Sequence, residues 1–214
     1  MHEAIGQQRH EGRVRLSELV TRPHFFGVAA LEGLGGEVTI HDGKVTITGV
    51  DSSGQLQPGE SPALSHEATV LVGAYVPSWT EHRLSGSVGR DGFDQTIADA
   101  ATEAGIDTSK PFVFTVEGEF AGLGFHVING ACPMHARLKN IELPQSSRPF
   151  ESELEKVRGT IVGVFARDAV GKLTHPGTST HTHVLFEDGT SGKTATGHVE
   201  WVRLNEGTVL RFPR

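Results

Sequence analysis

The chain has 214 residues, in which 26 Asp and Glu outnumber 19 Lys and Arg. An acidic chain without a basic run argues against nucleic acid as a partner. Apolar residues make up 36% and charged residues 21%, which indicates a folded globular protein rather than a disordered one. No run is long and apolar enough for a membrane helix, and the first residues lack the apolar centre of a signal peptide. We therefore expect no membrane partner and a cytoplasmic location, or a secreted or periplasmic one if a leader was removed.

The residue counts add two constraints. Cys132 is the single cysteine, so no internal disulfide can form. Such a chain is compatible with a reducing compartment. Histidine is unusually frequent, with 12 residues against one tyrosine and two methionines.

The predicted elements follow one another without an internal repeat. Residues 1–16 form a polar arm, and residues 17–214 form a single domain with a soft internal boundary near 105–111. Apolar alternation and turn residues predict strands, and a capped apolar face predicts a helix. In chain order we expect a helical turn near 17–21, a hairpin over 36–50, a loop over 51–66, a strand at 68–76, a helix over 91–105, a strand–turn–strand unit over 111–120, a short helix over 147–157, a strand at 159–166, and a meander of 180–187, 194–204 and 208–212. The pattern is that of a strand-dominated α+β fold with a few helices.

Two of these elements have specific end signals. In the first hairpin, Asp42 and Gly43 predict a type I′ turn between alternating strands. In the helix, Asp91 or Asp94 is expected to cap the start, and Gly105 to end it.

Three histidines near the carboxyl end are expected to meet on one face of a sheet. Side chains of a strand alternate between faces, so His181 and His183 share a face. If the next hairpin turns through residues 188–193, His183 lies directly opposite His198. Directly opposed residues have Cβ atoms about 4.5–5.5 Å apart. Gly197 leaves room for this close approach.

Three converging imidazoles predict a divalent metal site with an open position for water or substrate. The ligand set suits zinc, copper, nickel or iron, so the spacing alone does not choose the metal. The alternative is a group of surface histidines on a polar face of the sheet.

Several segments resemble the α-acetolactate decarboxylase family. "FGVAALEGLGGEVTIHDGKV" (26–45) is similar to the family's Phe-Gly-x-Gly-Thr-Phe-x-x-Leu-Asp-Gly-Glu segment, which is followed by a strand and Asp-Gly-Lys. "PFVFTVEGEF" (111–120) resembles its strand entering an Asp-Gly-x-Phe turn. "VRGTIVGVFARDAVGKLTHPG" (157–177) resembles its Gly-Thr-x-Val-Gly-Phe strand and the Pro-Gly before the ligands. "HTHVLF…GHVEW" resembles its His-x-His…Gly-Gly-His-Val. The resemblance covers about residues 18–204.

The resemblance implies a fold, a cofactor and a reaction. Family members have two mixed β-layers with the metal between them and are usually dimers. They bind zinc through three histidines, which map to His181, His183 and His198. They convert 2-acetolactate to acetoin and carbon dioxide. The metal acts as a Lewis acid, and a nearby acid returns a proton to the product.

One candidate for that acid follows from the resemblance. The glutamate of the family's Asp-Gly-Glu maps to Glu37, which the alternation places at the mouth of the first hairpin strand. Without the family, Glu37 reads as a solvated carboxylate at a strand start. Glu32 is a weaker candidate, because it matches no family carboxylate clearly.

The chain departs from the family at residues that bind the substrate. The family's active-site arginine, counted six residues from Phe120, falls on His126. This histidine is a candidate fourth metal ligand, a proton donor or a structural residue, because it offers neither the permanent charge nor the two-pronged grip of arginine. Gly35 replaces the family's aspartate. The family's late glutamate has no counterpart among the residues after His198.

Two functions remain open at this point. The leading one is a metal-dependent lyase that decarboxylates or enolises a small 2-hydroxy-3-keto acid. The alternative is a non-catalytic zinc- or copper-binding protein on the same scaffold. A small-ligand sensor has no positive feature in its favour. Further residues are candidate additions to the site: His24, His135, His175 and Cys132 for the metal, and Arg22, Arg137 and Arg158 for the missing arginine.

Overall fold

The computed structural model describes residues 7, 9–19, 22–59 and 65–214. The remaining parts of the expected amino-terminal arm, of the turn near 17–21 and of the 51–66 loop lie outside the described residues. The strands are β1 (Val14–Arg15), β2 (Phe25–Leu31), β3 (Glu37–His41), β4 (Lys44–Val50), β5 (Leu56–Pro58), β6 (Glu67–Tyr75), β7 (Trp79–Arg83), β8 (Phe112–Val127), β9 (Phe150–Leu154), β10 (Val157–Phe165), β11 (Thr180–Glu187), β12 (Thr194–Leu204) and β13 (Val209–Pro213). The α-helices are α1 (Phe93–Glu103) and α2 (Pro133–Lys139).

Two antiparallel sheets make up the fold. The first has the order β1-β6-β2-β3-β4-β5, and the second the order β10-β11-β12-β8-β13-β7, with β9 paired to β8. Strand β10 also pairs with β8, so that β8, β10, β11 and β12 form a closed circuit of pairings. The expected strand-dominated α+β class with two β-layers is confirmed.

Most of the buried apolar surface belongs to the second sheet and α1. Phe114, Phe120, Phe165 and Phe212 are almost completely buried there, and Ile97 of α1 packs against them. Burying an aromatic side chain of this size removes about 150–250 Å² of surface from water. This core therefore fixes the strands that carry most of the histidines.

The two sheets contact each other through apolar and polar side chains. Phe26 and Val28 of β2 pack with Val162 and Val164 of β10. Beside this contact, the buried hydroxyls of Thr39 and Thr196 are hydrogen-bonded to each other. The first sheet thus places the face of β3 directly over β11 and β12.

The first hairpin and the end of the first helix match their predictions. β3 and β4 turn through Asp42 and Gly43, whose φ values of 51° and 75° are those of a type I′ turn. Gly105, with φ of 81°, ends the helical segment as expected. No described helix is long and apolar enough to cross a membrane.

Three predicted elements are wrong. The expected helix over 147–157 is mostly strand β9, whose residues alternate between half-buried and exposed along the edge of β8. The expected turn within 111–120 is absent, because Gly118 continues β8 and pairs with Gly159 of β10. The final meander is also incorrect, since β13 pairs with β8 and β7 and not with β12.

Two details of the helices also differ. Neither Asp91 nor Asp94 caps α1, which follows Gly92 without a side-chain cap. Helix α2, for which the predicted elements have no counterpart, begins at Pro133 and is followed by a left-handed Asn140. Proline at the first helical position and asparagine at the end are the usual signals for such a helix.

Candidate metal centre

The strand pairing around the histidines matches the predicted register. His183 of β11 lies directly opposite His198 of β12. His198 in turn lies opposite His126 of β8 on its other side. His181 shares the face of His183, two residues earlier in β11. Neighbouring strands of one sheet thus bring four imidazoles to one face.

A fifth imidazole reaches this group from a loop. His175 lies between β10 and β11, and its ring centre is 4.6 Å from that of His198 and 5.4 Å from that of His181. The ring centres of His181 and His198 are 5.2 Å apart, and those of His126 and His198 are 4.8 Å apart. None of these five side chains is a surface histidine: all are less than a tenth exposed. We call them the histidine cluster: His126, His175, His181, His183 and His198.

The first sheet contributes a buried carboxylate to the cluster. Glu37 is 3% exposed. Its Oε2 lies 3.4 Å from His183 Nε2, and its Oε1 lies 3.8 Å from His126 Nε2. The amide of Ile128 donates to Oε1 at 3.4 Å. Glu37 therefore faces the histidines across the contact between the sheets.

Three rings of the cluster are oriented through their Nδ1 atoms. The carbonyls of Val38 and Leu173 accept from His183 and His181 at 3.0 and 3.3 Å. The carboxylate of Glu200 accepts from His126 at 2.6 Å. Because an oxygen acceptor requires a proton on Nδ1, each of these rings presents an Nε2 lone pair to the cluster when it is neutral. Such outer hydrogen bonds are typical of metal-ligating histidines.

Burial keeps four imidazoles of the cluster neutral, those of His175, His181, His183 and His198. Desolvation, followed by repulsion from His126, lowers the pKa of His175 to about 4 and that of His183 to about 3. Desolvation, with repulsion from neighbouring imidazoles, also lowers the pKa of His181 and His198 well below the usual value. Neutral imidazole is the form that binds a metal ion.

Burial has the opposite effect on the carboxylate. Desolvation raises the pKa of Glu37 to about 8, against a smaller lowering by the amide of Ile128. Without a nearby cation, Glu37 therefore carries a proton near neutral pH. The Glu37 carboxyl is then a proton donor that lies beside neutral imidazoles.

The donor set fits a divalent metal ion. Nε2 of His183 is completely buried and has no hydrogen-bond partner among the described residues, which is costly unless another group binds it. The ligating atoms of His175, His181 and His198 all lie within 4.8 Å of one another. Buried neutral nitrogens around one small space are the chemistry that zinc and related ions require.

A chain of charged groups leads from the cluster to the surface. Glu200 accepts from His126 and also from Nη1 of Arg137 at 3.1 Å. Arg137 forms a second ion pair with Glu151. Burial alone would raise the pKa of Glu200, but the bond and charge of His126 and the charge of Arg137 lower it to about 2. Arg137 is thereby occupied by two carboxylates.

A cavity of about 430 Å³ reaches the cluster at His175 and His198. Arg90 and Trp201 also form its wall, and the Arg90 guanidinium lies 4.6 Å from the centre of the Trp201 ring. Arg90 has no ion pair with any residue that the structure describes. Among the described residues, Arg90 is therefore a cation in the cavity wall without a carboxylate partner.

Other candidates lie away from the cluster. His24 pairs with Asp42 at 3.3 Å, and the Glu32 carboxylate accepts from His66 and from the amide of Glu67. His135 makes no ring contact with the cluster, and the Cys132 thiol is buried in a separate apolar group. Arg22 and Arg158 are exposed, and Arg158 pairs in register with Glu119.

Two residues of the site were not identified from the sequence. Glu200 lies two positions after His198, on the same strand, and could have been found as a polar residue beside the ligands. Arg90 precedes the helix and gives no such signal, because its position depends on how α1 packs against β12.

Comparisons with known proteins agree with this geometry. A family model described as alpha-acetolactate decarboxylase matches residues 1–211. No curated protein matches the chain significantly. The α-acetolactate decarboxylase of Bacillus subtilis strain 168 superposes with a TM-score of 0.68 at 18% identity, over 96% of this chain and 79% of that one.

Two further solved structures share the fold. The acetolactate decarboxylase of Bacillus subtilis subspecies spizizenii gives a TM-score of 0.67 at 18% identity, over 96% of this chain and 80% of that one. A Staphylococcus aureus protein of unknown function, similar to alpha-acetolactate decarboxylase, gives 0.63 at 16% identity, over 95% and 78%. Because the family model spans nearly the whole chain, the chain belongs to the alpha-acetolactate decarboxylase family.

Proposed function

We propose that this protein is a metal-dependent lyase that decarboxylates a small 2-hydroxy-3-keto acid, with 2-acetolactate as the first substrate to test. His181, His183 and His198 hold the metal, and zinc is the ion we expect. The observation that carries the proposal is a buried carboxyl group, Glu37, 3.4 Å from Nε2 of His183, beside His175, His181 and His198, whose ligating atoms lie within 4.8 Å of one another. A metal at this position would supply Lewis-acid polarisation of the substrate's oxygens.

Glu37 supplies the acid that the reaction needs. In the decarboxylation, the bond between the carboxylate and its neighbouring carbon breaks, carbon dioxide leaves, and the electron pair passes into the adjacent carbonyl. A proton must then be returned to that carbon. The carboxyl of Glu37 is placed to return this proton, because it is buried and faces the histidines at 3.4 Å from Nε2 of His183.

His126 restores the proton of Glu37 after each turnover. Its Nε2 lies 3.8 Å from Glu37 Oε1, and its Nδ1 is held by Glu200 at 2.6 Å. A carboxylate on the far side of an imidazole fixes its orientation and stabilises its protonated form, as in other acid–base pairs. His126 thus has a direct hydrogen-bonding route toward the surface, through Glu200 and Arg137.

The substrate carboxylate is held by Arg90. The cavity that leads to His198 has room for a molecule of this size, and Arg90 lies in its wall without an ion pair to the described residues. Asp91, Asp94 and Glu200 share the wall, and Asp94 and Glu200 already accept hydrogen bonds from other residues. Arginine is suited to bidentate hydrogen bonding with a carboxylate.

One alternative has a specific observation in its favour. A non-catalytic zinc- or copper-binding protein would need a fourth protein ligand, and the cluster contains more than three histidines. Such a protein would not need a protonated Glu37 or a cation in the cavity wall. The resemblance to the family also implies a homodimer, which light scattering on the purified protein checks.

The test is the release of acetoin and carbon dioxide from racemic 2-acetolactate by protein loaded with zinc. We expect turnover that disappears in His198→Ala, with His135→Ala as the matched control that retains activity. Absence of turnover at full zinc occupancy would contradict the lyase and favour the metal-binding alternative. Absence of stoichiometric zinc in the wild type would contradict both.

A further inference from the structure

We propose that His175 is a fourth protein ligand of the metal, bound to the same ion as His181, His183 and His198. The assignment rests on the proposed function, because it concerns the ion that this function requires.

Four rings of the cluster lie close to one another. His181 and His198 form a shared edge, with ring centres 5.2 Å apart. His183 lies on one side of this edge, at 5.3 and 5.5 Å from the two rings. His175 lies against the same two rings, at 5.4 and 4.6 Å. His175 is therefore as close to the shared edge as His183 is.

The ligating atoms are close to coordination distance. Two nitrogens bonded to one ion at about 2.0–2.1 Å are at most about 4.2 Å apart. Those of His175, His181 and His198 already lie within 4.8 Å of one another. His183 lies outside this closest set, so a site with four histidines requires its ring to move toward the other three.

His175 also has no competing role among the described residues. Its side chain is 6% exposed, and neither ring nitrogen has a hydrogen-bond partner in the described part of the chain. One ring nitrogen of the neutral imidazole is therefore available to a metal ion without the loss of any hydrogen bond to the described residues.

The loop that carries His175 is fixed in place. Asp94 of α1 accepts from the amide of Ser179 at 2.6 Å and from the hydroxyls of Thr178 and Thr180 at 2.9 and 2.6 Å. Thr174 donates to the carbonyl of Thr178 at 2.7 Å. These bonds hold the loop on both sides of His175, so the ring is presented to the cluster rather than left to move.

The same loop orients a second ligand. The carbonyl of Leu173, two residues before His175, accepts from Nδ1 of His181. One short segment thus sets the tautomer of one histidine and supplies the ring of another. This arrangement is expected of a segment built around a metal ion.

A fourth histidine changes the coordination of the resting centre. Four protein ligands complete a tetrahedral zinc site, whereas catalytic sites usually keep one position for water or substrate. His175 borders the cavity through which the substrate arrives. The substrate oxygens must therefore either expand the coordination or displace His175.

The experiment measures metal binding without turnover. Zinc affinity is determined by chelator competition, and the visible spectrum of the cobalt-substituted protein reports the coordination number. His175→Ala and the shape-conserving His175→Gln are compared with the wild type, and His135→Ala is the matched control. Loss of a partner that only orients a ligand costs about 10–100-fold in affinity. Loss of a ligand should exceed this, change the cobalt spectrum, and be reversed in the spectrum of His175→Ala by added imidazole.

Each outcome has one meaning. A larger loss with a changed spectrum in both variants, and wild-type behaviour of the control, supports His175 as a ligand. Unchanged affinity, or a smaller loss with an unchanged cobalt spectrum, overturns the assignment and leaves a three-histidine centre. If the wild type itself binds no zinc or cobalt, the proposed function fails, irrespective of His175.

Discussion

Glu37 and His183 face each other across the contact between the two sheets, with Oε2 of the carboxyl 3.4 Å from Nε2 of the ring. Nδ1 of the same ring donates to the carbonyl of Val38, the residue after Glu37. Strand β3 thus orients a metal-ligand candidate through its backbone and supplies the acid through its side chain. The position of the acid relative to the ligands is therefore fixed by one contact between β3 and β11.

Replacing the acid should separate chemistry from metal binding. Glu37→Gln keeps the shape of the side chain but cannot release a proton. We expect turnover of 2-acetolactate to fall by about 10²–10⁴-fold, the usual contribution of a positioned acid or base. Zinc stoichiometry should remain that of the wild type, as measured by metal analysis after gel filtration. Wild-type turnover in this variant would show that another group returns the proton.

The metal-free protein should be most stable just below neutral pH. The folded pKa values of His175 and His183, about 4 and 3, lie below the ordinary value of 6.5. Below pH 6.5 the unfolded chain therefore binds protons that the folded chain does not, and the free energy of unfolding falls as the pH falls. Each such histidine contributes about 1.4 kcal/mol per pH unit once the pH is well below 6.5.

Glu37 changes the free energy of unfolding with pH in the opposite direction. Its folded pKa of about 8 exceeds the ordinary value of 4.5, so the folded chain retains a proton that the unfolded chain loses. The stabilisation that this proton provides is therefore lost as the pH rises from about 4.5 to 8. Above pH 7, where His175 and His183 are neutral in both the folded and the unfolded chain, the loss from Glu37 remains. Urea unfolding from pH 5 to 8.5 gives the free energy of unfolding as a function of pH, and so checks both its acid limb and its alkaline limb. His175→Gln should flatten the acid limb and Glu37→Gln the alkaline one; parallel curves for wild type and variants would contradict these assignments.

The local part of the site could be predicted from sequence. Alternation places His181 and His183 on one face, and a short symmetrical hairpin places His183 opposite His198. The need for a small residue at Gly197 is also local, since a Cβ there would lie 2.4 Å from the Phe125 ring. Each of these relationships depends on the period of a strand or on one turn.

The rest depends on tertiary packing. Glu37 reaches the histidines only because the first sheet docks on the second, and His175 only because Asp94 holds its loop. Without the family resemblance, the sequence pattern would have assigned Glu37 to solvent. Strand β8 was interrupted in the prediction because glycine and glutamate at 117–119 suggest a turn, but its pairing with β10 on one side keeps it extended.

A buried pair of hydroxyls should stabilise the contact that aligns the acid with the ligands. Thr39 lies two residues after Glu37 on β3, and Thr196 two residues before His198 on β12; their hydroxyls bond to each other. Thr39→Val or Thr196→Val alone leaves one buried hydroxyl unpaired, which costs about 1–3 kcal/mol. The double variant should be less destabilised than the sum of the two. Additive losses in urea unfolding would mean that the hydroxyls do not interact.

Arg90 should determine how tightly the substrate carboxylate is held. Its guanidinium stacks on Trp201 in the wall of the cavity and has no ion pair with the described residues. An ionic hydrogen bond contributes about 1.5–3 kcal/mol, so Arg90→Ala should lower kcat/KM by roughly 10- to 100-fold, mainly through a higher KM. Arg203 provides the control, because it lies 5.6 Å from the same ring but is not part of that wall. Equal effects of Arg90→Ala and Arg203→Ala would indicate that the stacking on Trp201, and not a contact with the substrate, is responsible.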